Sequence, residues 1–119
     1  MKAILIDSKN RQVKEVEIPK GIDAMYKLLE CQYFTIATYL DGNDAIFVDD
    51  EGLMNGTDAF FTYEGAHQPF AGNGLIMGSD ENGESVDCKT RIDEVKSKVE
   101  FYDRYELSMA MAFGKIQFS

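Results

Sequence analysis

Tyr33 to Leu40 is a run of aromatic and β-branched residues. Asp41-Gly42-Asn43-Asp44 separates it from a second apolar run, Ala45-Ile46-Phe47-Val48. Two β-prone runs around so strong a turn read as an antiparallel hairpin, and Asp49-Asp50-Glu51-Gly52 ends it. A chain with this hairpin at its centre is built around a sheet.

The flanking segments agree. Lys2 to Asp7 and Gln12 to Ile18 read as strands joined by the polar turn Ser8-Lys9-Asn10-Arg11. Val13, Val16 and Ile18 alternate against Lys14, Glu15 and Glu17 with a one-residue slip that a bulge would explain. Pro19 and Gly21 then open a short helix, whose Ile22, Met25, Tyr26 and Leu29 form one apolar face. Between Leu53 and Gly74 the pattern is weak. Asn55-Gly56-Thr57-Asp58 suits the cap of a single helical turn, with Ala59, Phe60 and Phe61 facing inward. Gly74 to Gly78 reads as a buried strand, Asp80 to Gly83 as a turn, and Glu84 to Cys88 as the partner strand. Thr90-Arg91-Ile92-Asp93 has the spacing of a capping box, and Ile92, Val95, Val99 and Tyr102 extend a helical face behind it. Glu106 to Phe118 alternates in part and predicts a last strand. The expectation is one α+β domain over residues 1–119, a mostly antiparallel sheet with two short helices.

Length and composition are compatible with that fold. At 119 residues and 45% hydrophobic, with eight Phe and six Tyr, the chain can bury a substantial core. The apolar run at Met1–Asp7 is too short for a signal segment, and no stretch reaches transmembrane length. Cys31 and Cys88 make no disulfide framework, which points to a reducing cytoplasm.

Charge is distributed unevenly. All twelve basic residues lie at or outside Lys27 and Lys89, while twelve of the twenty-one acids lie between them. The formal net charge of −9 therefore comes from the middle of the chain. Such a surface repels nucleic acid and attracts cationic groups.

Catalytic signatures are absent. His67 stands in a loop with no second histidine or cysteine at ligand spacing, so a solvated loop residue explains it better than a base or ligand. Cys31 and Cys88 lack the basic neighbours that activate thiols and read as small packing residues. Asp80-Glu81-Asn82-Gly83-Glu84 has its glycine at the wrong position for a calcium loop, and Asp49-Asp50-Glu51 reads as solvated acids rather than a magnesium grip. Gly72-Asn73-Gly74 with Gly78 departs from dinucleotide-binding spacing. Met109, Met111 and Phe113 fit the inner face of the last strand. Neither a cofactor nor a metal is expected.

From Tyr33 to about Tyr102 the chain resembles a family of small uncharacterised proteins, a domain of unknown function found mainly in phages and mobile elements. The likeness rests on the aromatic-rich strand, Asp49-Asp50-Glu51-Gly52-Leu53 with Gly56, the strand Gly74-Leu75-Ile76-Met77-Gly78, Asn82-Gly83-Glu84 and a C-terminal helix. Phe60-Phe61-Thr62 departs from the family pattern. The resemblance implies a phage or mobile-element setting and no reaction.

The resulting expectation is a non-enzymatic acidic interaction protein that binds a basic protein surface, either as a phage-type inhibitor or as a mimic of nucleic acid. The acids to form its face are Asp41, Asp44, Asp49, Asp50, Glu51, Asp58 and Glu64, and they should be contiguous. The partner would be a protein, among them nucleic-acid-binding ones, with neither direct nucleic-acid nor membrane contact. The alternatives are an accessory or structural domain, homodimeric through its C-terminal strand, and then a metal-dependent hydrolase.

Overall fold

The computed structural model describes residues 1–19, 23–52, 56–66 and 68–115. The first two strands, β1 (Lys2–Asp7) and β2 (Gln12–Glu17), meet at a turn that Asp7 closes by accepting hydrogen bonds from the Asn10 backbone and side chain. Their register is unbroken, from Lys2 opposite Glu17 to Asp7 opposite Gln12, so the slip in the pattern is not a bulge. Val13 and Val16 pack on opposite faces of the sheet, and both faces have cover. The irregularity lies in the central hairpin instead, between Ile36 and Thr38 of β3 (Phe34–Tyr39) where it pairs with β4 (Asp44–Asp49). Gly42, at φ +73°, and Asn43, at φ +70°, are the left-handed residues of the connecting 3₁₀ turn.

These strands join β7 (Gly74–Ser79) and β8 (Ser85–Val86) in a six-stranded antiparallel sheet. Its order is β2-β1-β7-β4-β3, with β8 continuing beside β7. A smaller sheet, in the order β6-β5-β9, is built from β5 (Phe60–Tyr63), β6 (Phe70–Ala71) and β9 (Val99–Tyr102). Ile4, Ile6, Ile46, Val48 and Ile76 on one face of the large sheet pack against Phe61, Tyr63 and Phe70, and against Val95 of α2 (Ile92–Lys98). A Cβ at Gly74 would stand 2.7 Å from Phe61 Cζ, so glycine is what lets that ring reach the sheet backbone. Phe61 is fully buried, and truncating such a ring costs about 3–5 kcal/mol.

The other face of the large sheet carries Ala3, Leu5, Leu75 and Met77, covered by Ile18 and by Met25 and Leu29 of α1 (Asp23–Leu29). Seven residues of helix are only about 10 Å long. The cover reaches β3 at Phe34, on which Tyr26 of the helix stacks, and leaves Ile36 and Tyr39 exposed.

Among the described residues the architecture is α+β and the strand pairings are antiparallel, with three α-helices rather than two. The third, α3 (Arg104–Ala112), replaces the expected last strand. Asp103 and Glu106 form a reciprocal capping box that starts it, and Leu107 and Ala110 bury against Phe60, Ala71 and Tyr102. The expected C-terminal strand of a dimer is therefore not formed at Arg104–Ala112, and its last residues, Ile116 to Phe118, lie outside the described residues. The preceding helix is shorter than its apolar spacing suggested. It stops at Lys98 because Val99-Glu100-Phe101-Tyr102 pairs with β5. Thr90 does not cap it: Arg91 takes the N-cap position without a side-chain cap bond, while the Thr90 N–H and hydroxyl both donate to Asp44. Phe60 and Phe61 are buried, but on a strand rather than beside a helical turn. The expected helical position Ile22 lies outside the described residues, as do Asn55 and His67.

Candidate functional site

Among the described residues β3 pairs with β4 alone, so its other side is a sheet edge. The ladder fixes which backbone groups are left over. Asp50 N–H donates to the Tyr33 carbonyl and Leu40 N–H to the Asp44 carbonyl. In the alternation of an antiparallel pair, Phe34, Ile36 and Tyr39 therefore turn their own N–H and C=O groups away from β4. The strand Phe34-Thr35-Ile36-Ala37-Thr38-Tyr39 holds neither charge nor proline to blunt that edge, and its one interruption is the irregularity at Ala37. Its side chains are large and uncovered: Tyr39 is 75% exposed and Ile36 38%.

Beside the edge, where α1 no longer covers the sheet, lies a groove of about 760 Å³. Met25, Phe34, Ile36, Tyr39, Phe47 and Met77 line it, so it is mainly apolar. Phe34 stacks at a tilt on Tyr26 (5.0 Å between centroids) and meets Phe47 edge-on at 5.9 Å, which fixes the groove wall. Glu84 is the one carboxylate among the described lining residues, and no basic side chain joins it.

The seven acids expected on one face are separated. Asp44 is fully buried and leaves the surface altogether. Its carboxylate accepts from Lys89 N–H (2.9 Å), Thr90 N–H (2.7 Å) and the Thr90 hydroxyl (2.6 Å), locking the start of β4 to the chain beyond β8. Gly78 passes under this lock, where a Cβ would lie 3.0 Å from Asp44 Oδ1 and 2.7 Å from the Asp87 carbonyl. Asp49 sits at the opposite end of β4, roughly 17 Å away along an extended strand. There Asp49 and Glu51 share a hollow with Glu30, Lys27, Cys31 and Tyr33, and Asp50 is exposed next to it. Asp41 and Glu64 share a different cleft with Glu94, Lys89 and Lys98. Asp58 accepts the Arg104 N–H, and the Arg104 guanidinium lies 5.6 Å above the Phe60 ring. The absence of bases is thus a property of the sequence interval and not of the whole surface, because Lys89, Lys98 and Arg104 fold back beside Asp41, Glu64 and Asp58. What persists is local: Glu30, Asp50 and Glu51 gather with Asp49 at the Tyr33 end of β3, where Lys27 is the cation among the described residues.

The other candidate groups have structural roles. The Cys31 thiol is pushed up by burial first and by Asp49 second, and the Cys88 thiol by burial and then Asp44, the reverse of what activates a nucleophile. The Tyr63 phenol is pushed up to about 12 by burial, then by Glu94, Glu64 and Asp44, and stays protonated through neutral pH. Asp80 accepts from the backbone of Asn82 and Glu84 and so closes the β7–β8 turn. Asn73 accepts from Ser8 N–H and donates to the Leu28 carbonyl, tying α1 to the sheet as a turn residue would. Among the described residues no three His, Cys, Asp or Glu side chains group closely enough to hold a metal ion. Nor, among those residues, is any helix long and apolar enough to cross a membrane.

Sequence reasoning missed Ile36 and Tyr39. The available signal was negative: a strand flanked by acids yet itself without a single charge.

A domain of unknown function (DUF3846) matches residues 1–100, and the chain belongs to that family. The match takes in β1, β2 and α1 as well as the interval from Tyr33. The chain is also similar to the uncharacterised protein y4iR of Sinorhizobium fredii (strain NBRC 101917 / NGR234), at 30% identity over 80 residues. That covers 66% of this chain and 49% of the relative, so the chain aligns with about half of the relative's length. No solved structure matches.

Proposed function

We propose that this member of a family of unknown function is a non-enzymatic interaction module, binding a protein partner through the β3 edge and the groove beside it. The observation that carries the reading is the uncharged, unpaired edge strand standing next to uncovered apolar surface. Large uncovered apolar surface rimmed by polar groups is characteristic of binding sites. Basic character in the partner follows from the carboxylates at the Tyr33 end and from Glu84, which favour encounter with a cationic surface and raise the association rate. The phage or mobile-element setting implied by the resemblance suits a small inhibitor of this kind. Mimicry of nucleic acid is not part of the reading, since a mimic needs carboxylates ranged along one face and these are divided among separate clefts.

Affinity capture with the tagged protein tests it. The parent should retain a stoichiometric protein partner at low salt and release it near 1 M salt, where screening acts over about 3 Å. The variant Asp41→Lys/Asp50→Lys/Glu51→Lys, folded by circular dichroism, should capture much less of it. A partner held equally by parent and variant, or no specific partner, sinks the proposal.

A further inference from the structure

We infer that the occupant of this edge is an extended peptide segment of the partner, added to β3 as one more antiparallel strand, with alternate apolar side chains over the groove and Lys or Arg at its C-terminal end. The inference rests on the interaction reading above and adds the conformation, direction and composition of the bound segment.

Conformation follows from the backbone. Phe34, Ile36 and Tyr39 present outward N–H and C=O groups, and an added strand that passes Ala37 unpaired, as β4 does, satisfies all three. Residues opposite each other in a ladder share a face, so the peptide residues facing Phe34, Ile36 and Tyr39 project on the side where those three side chains line the groove. That requires apolar residues at every second peptide position. Direction follows from the sheet, in which the pairings are antiparallel and the antiparallel ladder is the more stable one. The peptide therefore ends where β3 begins, near Tyr33. Composition follows from charge complementarity at that end, where Glu30 and Glu51 share a hollow with Lys27 and Asp50 is exposed beside it, so that carboxylates outnumber the cations among the described residues. At the other end Asp41 already has Lys89 and Lys98 for company, so a cation gains less there. A second copy of the chain is disfavoured as occupant because it brings the same net charge of −9.

The experiment selects binders from a displayed random-peptide library on the immobilised full chain, then follows amide hydrogen exchange with the best peptide. Enriched peptides should alternate apolar residues and end in Lys or Arg. On binding, the amides of Phe34, Ile36 and Tyr39 should slow at least tenfold. Val13, Glu15 and Glu17, the outward amides of the opposite edge strand, should be unchanged. Tyr39→Lys, at a largely exposed position that tolerates substitution, should weaken binding tenfold or more, and Glu51→Lys should do so only for peptides with the basic C-terminal end. Slowed exchange elsewhere, such as on α3, overturns strand addition while leaving the interaction reading intact. So does a retained protein partner with no selectable peptide. Peptides without the basic end overturn the composition. Protection of the three amides in the concentrated free protein would mean that a second copy fills the edge, and it overturns the inference.

Discussion

The large sheet has two outer strands, and they are built on opposite principles. β2 reads Gln-Val-Lys-Glu-Val-Glu, with Lys14, Glu15 and Glu17 exposed along it. Lys2 pairs with Glu15, and the N-terminal ammonium reaches Glu17. β3 carries no charge at all, although the segments at its two ends are acidic. Charges along an edge hinder another strand from docking, because each would have to be desolvated or paired. One edge is thus closed to association and the other is left available. The acids follow the same logic: they bracket β3 rather than sit on it, steering a partner without obstructing the ladder.

An available edge must be held in place from within, and Asp44 does this through β4. Removing its carboxylate leaves Lys89 N–H, Thr90 N–H and the Thr90 hydroxyl without their acceptor. Each such loss costs about 1–3 kcal/mol, offset in part by no longer burying a charge. Asp44→Ala should lower unfolding free energy by about 3 kcal/mol in urea titration, whereas Glu17→Ala at the closed edge should cost under about 1 kcal/mol. Near-equal effects of the two substitutions would break the view that stability is concentrated behind the open edge. Asp44→Asn, which keeps one acceptor oxygen, should fall between them.

Stripping the closed edge is the next largest perturbation. Lys14→Thr/Glu15→Thr/Glu17→Thr converts β2 into an uncharged β-prone strand like β3, and the exposed pairs it removes are worth only about 0–1 kcal/mol each. The variant should fold yet elute from a sizing column as concentration-dependent oligomers, while the parent changes less. If it elutes as the parent does, those charges are not what closes β2.

The elements that sequence revealed are those whose side-chain pattern and backbone state agree. The β3–β4 hairpin announces itself through Asp41-Gly42-Asn43-Asp44, and β1, β2 and β7 through runs bounded by turns. Where two periods compete, pattern misled. Met109, Met111 and Phe113 alternate as strand residues would, yet they lie on or just after α3 and remain exposed. Asp103 and Glu106, three apart, were the better sign. Val99 and Tyr102 continue the spacing of α2, but tertiary pairing with β5 prevails over it. The site was legible only in its charge. Which acids stay on the surface depends on long-range closure, and Asp44 is buried by a loop 45 residues further on. That an uncharged strand ends up at an edge is likewise a fact of sheet order, which local sequence does not carry.

The smallest expected effect concerns the tie at the far end of the closed edge. Arg11, in the β1–β2 turn, hydrogen-bonds the Glu106 carboxylate at the start of α3, and Glu106 also accepts the Asp103 N–H. Chiefly through Arg11, and then through Asp103, the Glu106 carboxyl is held down to about 2 from its ordinary 4.5. A folded-state value below the unfolded one means stabilisation that is complete above pH 4.5 and is lost as pH falls towards 2. Both groups are solvent-exposed, so salt screens the interaction and its contribution is slight. Glu106→Gln retains an acceptor for Asp103 N–H but removes the charge. Its urea midpoint should sit just below the parent's at neutral pH and converge with it as pH drops from 4.5 to 2. β3 itself holds no charged residue, so the same titration should leave the exchange rates of the Ile36 and Tyr39 amides, corrected for intrinsic acid catalysis, unaltered by the substitution. If the midpoints stay parallel down to pH 2, the Arg11 link does not hold the β1–β2 turn, and the closed edge owes its order to the β1 ladder alone.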